Sequence, residues 1–208
     1  MKRTLPNSRP IQALGLAFLG SIFLIISACG TTSAMKAPTD TAGKEAITSL
    51  ASFDNVVVVE FRDQASANMK KLTGDKLDEY KQTLKVACKR FANLIATEIR
   101  KTEQFTNVSH SQQGLANTIL VSGDITRFKE GSSALRSWVG FGAGSSYFDA
   151  TVAITDATTG ETLGTFTVDK NSWALGGGIA SGQTVETFMQ GAAEKIATEL
   201  KSAKQREI

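Results

Sequence analysis

The chain has 208 residues, 41% of them hydrophobic and 21% charged, which is enough for one ordinary domain with a real core. Its formal charge of +3 comes entirely from Lys2, Arg3 and Arg9; setting these three aside leaves 20 of the 23 Lys and Arg against 20 Asp and Glu. A neutral body of this kind lacks the electrostatic footprint of a nucleic-acid binder, and one histidine with two cysteines leaves little for metal or nucleophilic chemistry.

The three early cations precede an apolar segment from Ile11 to Ile26, interrupted by Gln12, Gly15 and Gly20. It falls short of the roughly 20 apolar residues that span a bilayer comfortably, and it reads as a secretory signal. At its end, Ile26-Ser27-Ala28-Cys29 resembles the lipobox of bacterial lipoproteins, an aliphatic and two small residues before a cysteine. The resemblance implies cleavage before Cys29, diacylglycerol on its thiol and acylation of the freed amine. An uncleaved anchor helix or an ordinary cleaved signal is the competing reading. Gly30 follows where an aspartate commonly retains lipoproteins in the inner membrane. The resemblance therefore implies an outer-membrane, periplasm-facing protein. With Cys29 consumed by lipid, Cys88 has no partner for an intramolecular disulfide.

These readings divide the chain into a signal peptide (1–28), a lipidated N-terminus with flexible tether (29–50) and a single periplasmic domain (51–208). The tether is Ser/Thr/Ala/Lys-rich with Pro38 and no apolar periodicity. A flexible stretch of about 20 residues has an r.m.s. reach of roughly 25 Å, which would let the domain stand off the bilayer.

Phe53 to Phe61 is the first expected strand; four consecutive valines (Val56 to Val59) argue for burial on both faces and a central position. Arg62 to Lys71 is polar and reads as a loop. From Asp75 to about Thr102, Leu77, Tyr80, Leu84, Cys88, Phe91, Ile95 and Ile99 recur at helical spacing, with acids in the first turns and Arg100 and Lys101 in the last. Cys88 lies in that stripe as a small hydrophobe. Phe105 to Val108 is a short strand candidate. Thr118 to Thr126 follows, with Ile119, Val121 and Ile125 on one face. Tyr147 to Asp156 and Leu163 to Val168 form a hairpin about a turn ending in Gly160. A last helix runs from about Thr184 to Lys204 with Val185, Phe188, Met189, Ala192, Ile196 and Leu200 inward, capped by Ser181 or Thr184. The order β-α-β-β-β-β-α predicts an α+β domain, a mixed, mainly antiparallel sheet with two helices packed on one face.

Chemical motifs are sparse. His110 lies in a polar stretch and reads as a solvated residue; no Ser-His-Asp triad or Cys/His zinc site assembles from this inventory, and no cofactor is expected. Gly140 to Ser145 fails as a dinucleotide fingerprint because Ser145 stands where the last glycine belongs and a strand follows. Asp124, Asp149, Asp156 and Asp169, at or near strand ends, read as turn caps rather than a catalytic pair. Lys81, Lys85 and Lys89 line one helix face and read as its solvated side.

One placement is sharper. In an antiparallel meander, the connections 129–146 and 170–183 emerge at the same end of the sheet. Both are glycine-rich and each holds one of the two tryptophans, Trp138 and Trp173. Trp138, Phe141, Tyr147 and Trp173 are either a cap on the core's end or an aromatic rim for a partner or an apolar ligand.

Arg136, Gly140, Gly142, Gly144, Asp156, Thr159, Gly160 and Leu163 carry a further resemblance. An Arg, a Gly-x-Gly-x-Gly patch, an alternating strand ending in Asp, then Thr-Gly and an aliphatic residue resemble a family of bacterial outer-membrane lipoproteins known only as a domain of unknown function, DUF4410. No catalytic residues come with the resemblance. The sequence is thus read as a non-enzymatic accessory or scaffold module of the cell envelope, held to the membrane through Cys29 and acting on an envelope protein partner. The alternatives are a carrier of a lipid or other apolar ligand and a subunit of a secretion or pore assembly.

Overall fold

The computed structural model describes residues 30–38, 49–70, 72–111, 116–131, 145–171 and 183–206. Among these, seven strands form one mixed sheet: β1 (Gly30–Thr32), β2 (Asn55–Val58), β3 (Arg62–Asp63), β4 (Asn107–Ser109), β5 (Thr118–Lys129), β6 (Tyr147–Asp156) and β7 (Thr162–Asn171). Two α-helices lie among the described residues, α1 (Asp75–Lys101) and α2 (Val185–Lys204). The strands lie in the order β1-β7-β6-β5-β2-β4, with β3 also alongside β5. From β1 through β5 the pairing is antiparallel; β2 and β3 run parallel to β5, and β4 runs parallel to β2. This is the expected α+β class with a mixed, mainly antiparallel sheet.

The valine run forms a strand because β-branched side chains suit a pleated surface covered on both sides. Val56 and Val58 join the core beneath the helices; Val57 points the other way and is equally buried. Asn55 fixes the strand laterally: its amide donates to the Ala116 carbonyl at 2.8 Å, and its oxygen accepts from the Asn107 amide at 2.8 Å. The expected first strand is interrupted after Val58 and resumes as β3, so part of the Arg62–Lys71 loop is sheet.

The core lies between one sheet face and both helices. Leu84, Cys88, Phe91, Ile95 and Ile99 of α1 and Phe188, Met189, Ala192, Ile196 and Leu200 of α2 meet Ile119, Val121, Ile125, Phe148, Val152, Ile154 and Phe166. Phe91 sits at its centre, its ring 4.8 Å from Phe61 and 4.9 Å from Phe148, the latter edge-on at 79°. Thr184 caps α2 through a reciprocal box with Thr187. The alternative cap, Ser181, lies outside the described residues. The hairpin turn closes on Asp156, whose Oδ1 accepts from the Thr158 and Thr159 amides, and Gly160 takes φ 74°.

Residues 30–36 correct the tether reading. Gly30–Thr32 pairs antiparallel with β7 (Gly30 opposite Lys170), Lys36 and Thr165 exchange backbone hydrogen bonds at 2.9 Å, and Met35 packs against Gly164. An edge strand bonds through its backbone and needs no apolar alternation, so composition gave no sign of it.

Candidate functional site at one end of the sheet

The antiparallel meander holds. Lys129 pairs with Tyr147 and Tyr147 with Asn171, so the connections leaving β5 and β7 start from one end of the sheet. Gly30 reaches the same end through Lys170. Between Ile125 and Arg127 the register shifts, and this bulge turns Arg127 onto the face opposite the helices. There Arg127 Nε lies 2.6 Å from Asp149 Oδ2, and Nη2 lies 3.7 Å from Asp169. Burial pushes the Asp149 carboxyl above its ordinary value, against the pull of Arg127. The same guanidinium stands 4.7 Å from the Tyr147 ring centroid, with Lys129 Nζ at 5.7 Å.

On the helix side, Tyr80 of α1 donates its hydroxyl to the Phe128 carbonyl at 3.0 Å, and burial pushes that hydroxyl up to about 12. Between the N-terminal halves of α1 and α2 lies a groove of about 560 Å³, floored by Val86, Ala87, Phe128, Val185 and Met189. Arg90 and Glu186 pair across its rim at 2.6 Å. Val86 is 66% exposed there, beside the solvent-facing Lys85 and Lys89. A second hollow of about 380 Å³, lined by Leu72, Tyr80, Phe128 and Lys129, adjoins it. An apolar floor with an ion-paired rim suits an apolar chain or side chain better than a polar substrate.

Of the aromatic rim expected from sequence, Tyr147 is placed at this end; Trp138, Phe141 and Trp173 lie outside the described residues, as do Cys29, Arg136, Gly140, Gly142 and Gly144. Cys88 is 2% exposed and burial pushes its thiol up to about 12, which suits a packing role. His110 is exposed; because a carbonyl only accepts, its Nδ1 carries the proton donated to Val58 O at 2.9 Å. Among the described residues no three of His, Cys, Asp and Glu gather as metal ligands.

The aspartates divide differently from expectation. Asp156 caps its turn, but Asp124 pairs with Arg62 and Asp149 and Asp169 flank Arg127. Neither Arg127 nor the groove was found from sequence. Arg127 lies past the point where the apolar alternation of β5 breaks, at the bulge, and the groove is built from two helices 96 residues apart at the Arg90–Glu186 contact. The exposed Val86 on an otherwise charged helix face was the one available signal.

No curated protein matches the chain. Among solved structures, a PelC dodecamer from Paraburkholderia phytofirmans is similar in fold, with a TM-score of 0.50 and 14% identity over 83% of this chain and 98% of that one. A single-substitution PelC dodecamer from the same organism gives a TM-score of 0.50 with 16% identity over 83% and 97%. Residues 56–176 match the family model described as Domain of unknown function (DUF4410), a span running from the valine strand β2 past the end of β7, and the chain belongs to that family.

Proposed function

We propose that the protein is a lipid-anchored, non-enzymatic accessory or scaffold module of the bacterial outer membrane, facing the periplasm and working by protein–protein contact. The observation that carries the reading is Ile26-Ser27-Ala28-Cys29 at the end of the apolar segment, immediately before strand β1. Acylation at that cysteine supplies two or more chains, and each buried methylene contributes about 0.8 kcal/mol toward a stable anchor. The PelC chains of similar fold are dodecamers, which supports contact with other chains as a use of this fold and keeps an assembly subunit within the same reading.

Metabolic labelling with a fatty-acid analogue tests the anchor. The wild type takes the label, and Cys29→Ser abolishes it and leaves the signal uncleaved; label surviving the substitution refutes the reading. Crosslinking in the envelope then identifies the partner.

The apolar groove favours a second reading, a carrier of a lipid or other apolar ligand. Under that reading an apolar fluorescent probe binds the purified domain alone, and Val86→Arg, at an exposed position lining the groove, abolishes binding without lowering the melting temperature by more than a few degrees. Under the scaffold reading no such probe binds, and only a protein partner perturbs this end.

A further inference from the structure

Anchors are usually pictured with slack between lipid and domain, and the composition of residues 31–50 suggests the same here. The pairing of β1 removes that slack at its start. Gly30 is hydrogen-bonded into the sheet opposite Lys170, one residue from the end of β7. Cys29 is its neighbour in the chain, and consecutive Cα atoms are about 3.8 Å apart. A lipid on Cys29 is therefore joined to the sheet's edge by a single peptide step rather than by a reach of roughly 25 Å.

The pairing also fixes which end is held. Gly30, Lys129, Tyr147 and Asn171 share one end, while Thr162, Asp156 and the Thr158–Gly160 turn lie at the other. A ten-residue strand separates the two ends by about 30 Å. The near end carries an exposed Lys129 beside the half-buried Tyr147, a cation and an amphipathic ring suited to the headgroup layer.

We propose that the Lys129–Tyr147–Asn171 end of the sheet faces the phospholipid surface, with the strands running away from it and the Asp156–Gly160 turn outermost. This rests on acylation of Cys29, as proposed above. It implies that the Asp156–Gly160 turn stands about 30 Å farther from the bilayer than Lys129.

The test uses the full-length acylated protein in vesicles of phosphatidylethanolamine and phosphatidylglycerol that carry a headgroup nitroxide. Glu130→Cys and Glu161→Cys are exposed sites at opposite ends, each removing one negative charge, and each takes a fluorophore while buried Cys88 does not. Quenching at residue 130 is expected to exceed that at residue 161 several-fold. Equal quenching, stronger quenching at 161, or none at either site overturns the orientation. Lys129→Cys repeats the near-end measurement if Glu130→Cys folds poorly. Mass spectrometry of the N-terminal peptide separates the two failures: a Cys29 without acyl chains sinks the anchor itself, whereas an acylated Cys29 with the wrong quenching order sinks only the orientation.

Discussion

Gly123 and Gly164 offer the same substitution two different obstacles. In β5, a Cβ at Gly123 would run into the backbone carbonyl of Thr151 in β6 and come within 2.7 Å of Phe61 Cε1. Neither can yield cheaply, because Thr151 is held in the β5–β6 pairing and Phe61 is wedged against Phe91 at 4.8 Å. Separating the strands locally forfeits about two backbone hydrogen bonds at about 1 kcal/mol each, and overpacking Phe61 adds about 2. Against this, replacing glycine in a strand returns about 0.5–1 kcal/mol. Gly123→Ala is therefore expected to destabilise by about 3 kcal/mol, lowering Tm by about 10 °C for a domain of this size. A Cβ at Gly164 meets Met35 Cγ at 2.7 Å and Sδ at 2.9 Å, atoms of an unbranched, adaptable side chain on the edge segment. Loss of that partial burial, on the order of 1 kcal/mol, is nearly offset by the glycine term, so Gly164→Ala stays within about 0.5 kcal/mol of wild type. What changes is local: with Met35 displaced, the Ser33, Lys36 and Thr165 amides, which bond between the segment and β7, exchange faster. Thermal and urea melting with amide hydrogen exchange measure both effects. Equal destabilisation by the two variants, or full tolerance of Gly123→Ala, would refute the reasoning that the displaced group sets the cost.

The remaining expectations concern Cys88 and the hairpin turn. Cys88→Ala leaves a small cavity and costs about 1 kcal/mol, with function in cells unchanged. In the native Cys29→Ser protein, Cys88 stays unmodified by thiol reagents at pH 8, because it is buried and its thiol lies up at about 12; rapid native-state modification counts against burial. Asp156 is held below the ordinary carboxylate range first by the Thr158 amide and then by that of Thr159. A lowered folded value means its stabilisation is present above the unfolded pKa of about 3.9 and is lost as pH falls through the folded value. Asp156→Ala is thus less stable than wild type at neutral pH, with the difference closing in acid; a gap that widens as pH falls contradicts this sign.

Both helices were legible nearly to the residue because an apolar stripe at helical spacing cannot be buried as anything else, and Leu84 through Ile99 occupy that stripe in the core. The β6–β7 hairpin was legible for a related reason: Phe148, Ala150, Val152 and Ile154 alternate, and Gly160 marks the one place that needs a positive φ. What stayed hidden was whatever depends on backbone pairing or on distant neighbours. β3 is two exposed residues, Arg62 and Asp63, whose strand character comes from lying beside Asp124 and Ile125. The site showed the same division. Tyr147 was reached through the meander, whereas Arg127 needed the bulge and the groove needed the packing of α1 on α2.

The N-terminal segment shows why composition alone missed an edge strand. A Ser/Thr/Ala/Lys stretch with a proline cannot drive collapse, so taken alone it is chain entropy and reach. Placed beside β7, the same residues meet a row of backbone donors and acceptors that β6 leaves unpaired. Ser33 and Lys36 amides then bond the Thr167 and Thr165 carbonyls at 2.9 Å, the Ser33 hydroxyl accepts from the Thr167 amide at 3.0 Å, and the Met35 amide points to Glu199 at 3.4 Å. Each bond contributes about 0.5–1.5 kcal/mol net, so several together offset much of the entropy of ordering so short a segment. An acylated Cys29 would strengthen that balance, because a chain end held at the bilayer has less freedom to lose on pairing. The edge strand and the lipid would then support each other: the sheet shortens the tether, and the anchor helps hold the strand.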